Sequence, residues 1–455
     1  MYQKNIYKDI TQDKVDKITA FCEEYKKFLS AAKTERLAVN ETEKLCRAKG
    51  YRKLEEIKKL SAGAKVYFVN KNKNVILYRI GKRPLTDGLR ILGAHIDSPR
   101  MDLKQNPLYE SEEFALMDTH YYGGIKKYQY VTVPLAMHGV ICKKDGTVVN
   151  VSVGENEDEP VLGISDLLIH LSQKQLTATA DKVIEGENLD VTVGSIPLSG
   201  EKDEPVKKNI LKIFKDKYGA EEEDFVSAEL EIVPAGKARD YGLDRSMIAS
   251  YGHDDRVCAY TSLAAILDSE AGEYAACCVL VDKEEIGSVG ATGATSAFFE
   301  NTVRALLEKE GCKDVFAVNK TLENSMALSS DVNAATDPLY MDVAAKNNSS
   351  RFNYGIVLEK YTGARGKSGA NDANPEFIAV LRKAFDDAGV YYQSGELGKV
   401  DAGGGGTIAF TLAKYNMSVI DAGVAVLNMH SPMEVVSKAD VYETYLAYKA
   451  FLDIE

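Results

Sequence analysis

Apolar residues recur at spacings of three and four along residues 11–49, where Ile18, Phe21, Cys22, Tyr25, Phe28 and Leu29 make one helical face. The run Asn40-Glu41-Thr42-Glu43 has the spacing of a capping box and predicts a second helix start near Asn40, with Gly50 as its stop. The pattern then shortens to the period of strands. Val66–Val69 and Val75–Arg79 predict a hairpin through the polar NKNKN turn, and Leu89–Ile96 predicts the next strand. Between about 105 and 245 short alternating stretches dominate: Tyr128–Leu135, Gly139–Cys142, Thr147–Val153, Leu189–Val193 and Ala228–Val233. Helical spacing interrupts them only at Ser165–Gln173 and Pro205–Tyr218. After Ser250 helices and strands alternate. Helices are expected at Arg256–Leu267, Ala297–Glu310, Pro375–Ala388 and Asp440–Leu452, and strands at Tyr274–Val281, Asp314–Asn319, Val390–Gln393 and Val419–Val426. The pattern predicts an α/β domain built from residues 1–104 and 246–455, carrying a β-rich insertion at 105–245.

The 455 residues are too many for one ordinary domain, which agrees with that division. A hydrophobic content of 45% with 27% charged residues is that of a soluble globular chain. The net charge of −12 disfavours nucleic acid and anionic membrane surfaces as partners. The seven cysteines form no C-x-x-C pair and several lie in apolar runs, which predicts a reducing, cytoplasmic setting rather than disulfides or a cysteine zinc site. No apolar run reaches the roughly 20 residues a membrane span needs, and the first residues, MYQKNIYKDI, do not resemble a signal peptide.

Candidate chemistry sits where buried runs end. Ala275–Val281 empties into Asp282, Lys283, Glu284 and Glu285, and open α/β sheets place ligands at the carboxyl ends of strands. In ILGAHIDSPR, Asp97 lies two residues beyond His95 and so faces the same side of an extended segment, where it can orient the imidazole. Asp254 and Asp255 precede a helix, and capping accounts for one of them better than for both; His253 beside them suits a supporting role. Asp331 follows a serine pair, and His430 lies just past a buried strand. Taken together, His95, Asp254, Glu285, Asp331 and His430 are an N/O donor set suited to two divalent ions sharing a carboxylate and a water. The chemistry also needs a base that is not a ligand, and Glu284 is the candidate, although spacing alone does not divide the roles of Glu284 and Glu285.

HIDSPR, HDDRV, DKEEIGS, SSDVNAA and MHSPMEV, in this order, resemble the M18 aminopeptidases, the aspartyl aminopeptidase and aminopeptidase I family. THYYGGIKKYQ, LEKYTGARGKSG and AGGGGTIA look like the bacterial branch. The resemblance implies a mixed-sheet zinc-peptidase domain with helices on both faces, an inserted β-rich dimerisation domain, and a homododecamer built from dimers. It places His95 and Asp331 on one metal, Glu285 and His430 on the other, and Asp254 between them. Glu284 becomes the general base acting on a metal-bridged water, and Asp97 orients His95. His170, in LGISDLLIHL, resembles a histidine that reaches the neighbouring subunit's active site. Zinc is the usual metal of the family, with cobalt or manganese activating some members, and the substrates are peptides with a free N-terminus. Near Lys360 and at Gly403–Thr407 the composition departs from the eukaryotic aspartyl enzymes, so the resemblance does not extend to a preference for N-terminal Asp or Glu.

Alternatives are an M42-type aminopeptidase, which the GGIKKYQ and TGARGKSG stretches disfavour, a dinuclear N-acyl amino acid amidohydrolase, and a shell-forming assembly protein without activity. Gly403–Gly406 lacks a following G-K-[ST] and is read as a close approach to a substrate main chain rather than a phosphate cradle. Lys360, Arg365 and Lys367 are read as a solvated basic cluster, with a site-facing cation as the second reading.

Overall fold

The computed structural model describes residues 4–455. The chain divides into two units, one comprising the chain up to Asp97, Ala238–Met429 and Glu434–Glu455, the other Ser98–Lys237 and His430–Met433. These junctions fall a few residues before the positions expected from the pattern, and the short segment that begins with His430 groups with the second unit.

The first unit is built on a nine-stranded mixed sheet. Its centre is four parallel strands in the order Ala275–Val281, Leu89–His95, Met326–Ser329 and Ser418–Gly423. Their residues are almost wholly buried and apolar, as expected for strands covered on both faces. The hairpin Lys65–Asn70/Asn74–Arg79 extends the sheet antiparallel beside Ala275–Val281. Ile356–Glu359 runs antiparallel to Ser418–Gly423 on the other side. One face packs against the helices Gln12–Ala31, Glu35–Ala48, His253–Asp268, Pro375–Asp387 and Lys438–Leu452. The opposite face packs against Phe298–Glu310, Ala317–Glu323 and Ala409–Ala413. A smaller five-stranded sheet joins Arg239–Tyr241, Met247–Ser250, Glu434–Ser437, Ala425–Leu427 and Asn333–Ala334.

The second unit is a six-stranded antiparallel sheet with the helix Pro205–Tyr218 on one face, seated through Val206, Ile210 and Phe214. Its longest strands, Arg100–Ser111 and Phe114–Tyr122, escape the sequence pattern. Pro107 lies where the register shifts between Leu103 and Leu108, and partly exposed charged residues break the apolar alternation.

Several expected elements differ. The break between the first two helices comes at residues 32–34, where the Thr34 hydroxyl accepts the Leu37 amide, and Asn40 lies inside the second helix. Tyr128–Leu135 is not a strand: a 3-10 turn at Lys127–Gln129 and a left-handed Thr132 interrupt it. Ser165–Gln173 forms only one 3-10 turn, because Leu167, Leu168, Ile169 and Leu171 stay exposed and bury no helical face. Asp314–Asn319 is not a strand either. Asp314 accepts the Phe316 amide and pairs with Lys320, which starts the helix Ala317–Glu323.

Candidate active site

The register of the parallel strands sets the site. Val281 is level with His95, and Ser329 is level with both Gly93 and Asp421. His95, the turn after Val281 and the segment after Ser329 therefore emerge side by side at the carboxyl edge of the sheet. Lys283 and Gly287 both take positive φ and bracket a single 3-10 turn at Glu284–Ile286. That reversal aims two backbone amides back at the neighbouring strand. Glu284 N donates to Asp97 Oδ1 at 3.1 Å and Glu285 N donates to Asp97 Oδ2 at 3.2 Å.

Asp97 also holds the histidine. His95 Nδ1 lies 3.1 Å from the Asp97 carbonyl oxygen and 3.3 Å from Oδ1. This fixes the ring and leaves Nε2 facing the carboxylates. Nε2 is 3.2 Å from Asp254 Oδ1, 3.8 Å from Asp331 Oδ1 and 3.9 Å from Glu284 Oε2. Two groups with donor atoms within 4.8 Å of one another share His95, one adding Glu284 and Asp331, the other Asp254 and Glu285. The glutamates thus enter different groups, from successive positions about 120° apart on one 3-10 turn.

The Asp254–Asp255 segment is anchored on buried side chains. Asp254 N donates to Glu434 Oε2 at 3.0 Å, Asp255 Oδ2 accepts the His95 amide at 3.4 Å, and the neighbouring His253 ring sits 2.7 Å from the Tyr25 hydroxyl. Burial holds His253 neutral, with a pKa lowered to about 3, which agrees with a supporting role. Glu434 belongs to the MHSPMEV stretch, where only the histidine attracts notice in the sequence.

The electrostatics show a cluster short of positive charge. Burial, opposed by His95 and reinforced by Glu284, Asp254 and Asp421, lifts Asp331 well above the usual carboxylate range. Burial and the Asp331 charge do the same to Asp255. Burial works against a charged His95 ring, yet hydrogen bonds to Asp254 and Asp97 and the charges of Asp331 and Glu284 outweigh it and raise its pKa. Buried carboxylates around one imidazole fit divalent cations, which would ionise the acids and take the neutral imidazole as a ligand.

His430 lies in the other unit, at positive φ, with Nδ1 2.7 Å from the Gly124 carbonyl oxygen. His170 sits exposed in the 3-10 turn Ile169–Leu171 of that unit. The basic cluster does not form as a unit. Lys360 is exposed beside Ile378 and Arg382, while Lys367 pairs with Asp372 at 3.3 Å and lies 3.7 Å from the Tyr361 ring centre. Two acids that sequence reasoning passed over, Asp421 and Glu359, lie directly opposite each other on neighbouring strands. The signal was an acid interrupting each of the apolar runs SVIDAGVAV and GIVLEKY.

The end of the Ser418–Gly423 strand is tightly fitted to the site. A Cβ on Gly423 would come 1.9 Å from the Asp331 carbonyl oxygen and 2.9 Å from Cys258 Sγ. Gly423→Ala is therefore expected to lower stability by about 1–3 kcal/mol and to displace Asp331. Denaturant unfolding and metal titration of the variant check both effects.

The comparisons with known proteins agree along the whole chain. A family model described as aminopeptidase I zinc metalloprotease (M18) matches residues 28–452. A probable M18 family aminopeptidase 1 from Clostridium acetobutylicum is 56% identical over 455 residues, covering 99% of this chain and 98% of that one. The crystal structure of an M18 family aminopeptidase from Thermotoga maritima superposes with a TM-score of 0.97 at 46% identity, covering all of both chains. A more distant structure, an mApe1 dodecamer from the yeast S. cerevisiae, shares the fold with a TM-score of 0.75 at 20% identity, covering 94% of this chain and 95% of that one. The chain belongs to the M18 family of zinc metalloproteases and is a metalloaminopeptidase, an exopeptidase that hydrolyses peptides from the N-terminus.

Proposed function

We propose that the enzyme works through two divalent ions, with zinc as the first choice and cobalt or manganese as substitutes. His95 and Asp331 would hold one ion, Glu285 and His430 the other, and Asp254 would serve both. The reading is carried by one observation: Asp97 ties the His95 ring and the Glu284–Glu285 backbone into a single arrangement around shared carboxylates. His430 enters through its motif, MHSPMEV. When bound, the ions would supply Lewis-acid activation of the scissile carbonyl and lower the pKa of the attacking water. Glu284 would accept that water's proton and deliver it to the leaving amine. Its side chain is 16% exposed and can meet solvent, whereas Glu285 Oε1 is buried.

The second unit would pair subunits, and pairs would assemble further into a dodecamer, the state in which the yeast relative is described. Exposed Leu167, Leu168, Ile169 and Leu171 around His170 support a subunit contact there, through which His170 would reach a neighbour's site. Seven unpaired cysteines suit the cytosol, and among the described residues no helix is long and apolar enough to cross a membrane.

Metal analysis tests the ligand set. The native protein should hold two ions per chain, and His430→Ala should hold about one while keeping its fold. Two ions retained in that variant would remove His430 from the set. Aminoacyl substrates measured beside N-acyl amino acids separate this reading from an amidohydrolase.

A further inference from the structure

The helix His253–Asp268 begins without a side-chain cap from the residue before it. Gly252 has no side chain to offer and takes a left-handed φ of 78°. The start of the helix is also enclosed. His253, Asp254 and Asp255 are at most 3% exposed, so water is a poor partner for the amides that every helix start leaves unpaired. An aspartate at such a place ordinarily turns its carboxylate onto the amides of its own first turn. Here both carboxylates reach His95: Asp254 Oδ1 lies 3.2 Å from Nε2, and Asp255 Oδ2 accepts the backbone amide at 3.4 Å. Asp254 and Asp255 have φ/ψ of −81°/109° and −115°/30°, outside helical values, so the helix ladder does not set their backbone.

The acceptor for the Asp254 amide comes from far along the chain. Glu434 opens the strand Glu434–Ser437, which runs antiparallel to Met247–Ser250, and it stands level with Ser250. The chain leaves Ser250, passes through the left-handed Gly252 and brings the Asp254 amide to Glu434 Oε2 at 3.0 Å. Glu434 is 1% exposed. A carboxylate is costly to bury, and it is a stronger acceptor for an amide than a neutral oxygen. His95, Gly252, Asp254 and Glu434 all belong to the first unit. The amide of Asp254 is thus held by one element while its carboxylate faces another, in the group of donors it forms with His95 and Glu285.

We propose that Glu434 is a positioning residue for the hydrolysis: by accepting the Asp254 amide it takes over the capping of this helix and keeps the Asp254 carboxylate directed at the metals. The inference rests on the dinuclear reading, in which Asp254 serves both ions, and adds to it the group that holds the shared ligand. Without Glu434 the Asp254 amide is buried and unpaired, which is expensive. The nearest relief is for the Asp254 carboxylate to swing onto the amides of its own helix, away from His95. One substitution that touches no metal would then weaken both ions together. His430→Ala, by contrast, should release only one.

The test uses the full-length enzyme loaded with zinc, and a cobalt-loaded form for its visible spectrum. Glu434→Ala is expected to weaken both ions about 10- to 100-fold in competition with a chelator, as loss of an outer partner of a ligand does. It should also change the cobalt spectrum, which reports the geometry at the metal. Glu434→Gln keeps an acceptor oxygen at the same reach and should hold metal within about threefold of the native enzyme. Glu434→Asp keeps the charge but falls one methylene short, so it should lose affinity in the direction of the alanine variant. Melting curves accompany all three. A lowered melting temperature in Glu434→Ala with metal affinity and spectrum unchanged would mean a purely structural role and overturns the proposal. A glutamine variant as weak as the alanine variant overturns it too. Should Glu434→Ala fail to fold, native metal affinity in Glu434→Asp overturns it in the same way. Asp254→Ala tests the reading beneath: both ions retained at native affinity there would remove Asp254 from the ligand set, and the dinuclear reading itself would fall.

Discussion

Glu284→Gln is expected to lower kcat by roughly 10²- to 10⁴-fold while the protein keeps its full complement of metal, because the amide cannot accept a proton. The substitution leaves the backbone amide of residue 284, which Asp97 accepts, in place. The 3-10 turn and the His95 ring should therefore stay where they are. The change is an interaction lost mainly in the transition state, so KM should move far less than kcat. Metal analysis, a melting curve and steady-state kinetics on one preparation decide the matter. Loss of an ion would mean that Glu284 and Glu285 exchange roles, an outcome the geometry keeps in view because Glu284 stands within 4.8 Å of His95 and Asp331 donor atoms. The companion variant Glu285→Gln then completes the comparison, since it is the one expected to lose metal.

Asp97→Ala should act by a different route, through metal affinity. The carboxylate accepts two backbone amides from the turn carrying both glutamates and lies 3.3 Å from His95 Nδ1. Removing it frees the ring to rotate and leaves two amides of the turn without their acceptor. Loss of such an outer partner of a metal-bound histidine costs about 10- to 100-fold in affinity. Competition with a chelator measures that shift directly, and activity should return when metal is supplied in excess. Asp97→Asn keeps one acceptor oxygen but brings donors toward the amides, and should recover only part of the loss. Unchanged metal affinity in the alanine variant would contradict the orienting role.

The parts of this enzyme legible in its sequence are those set by short-range pattern. Ala275–Val281 is an unbroken apolar run ending in acids, and it is a central strand opening into the site. His95 and Asp97 sit two apart, and the spacing alone places them together. What the sequence conceals is contact at long range. Nothing near Asp97 announces that its carboxylate also gathers the amides of residues 284 and 285. Asp421 and Glu359 look like single acids in apolar runs, and only strand pairing sets them opposite each other. The mistaken elements have the same origin. Ser165–Gln173 has helical spacing but buries no face, and Asp314–Asn319 is apolar enough for a strand until the Asp314 side chain starts a helix. The long hairpin from Arg100 to Tyr122 was hidden by a proline at its register shift.

The pairing of His95 with Val281, and of Ser329 with Asp421, has a consequence for the enzyme's biosynthesis. The strand that carries His95 leaves the ribosome long before either of its neighbours exists. It must wait, unpaired and apolar, until residues 275–281 and then 326–329 arrive, and the row is closed only by Ser418–Gly423. Such non-local pairing is slow and exposes sticky edges while it is incomplete. A fragment ending before residue 418 therefore lacks a strand of the central sheet, the one that pairs with Met326–Ser329. On the ligand set proposed above, a nascent or truncated chain would gain hydrolytic competence only with nearly the last tenth of the polypeptide.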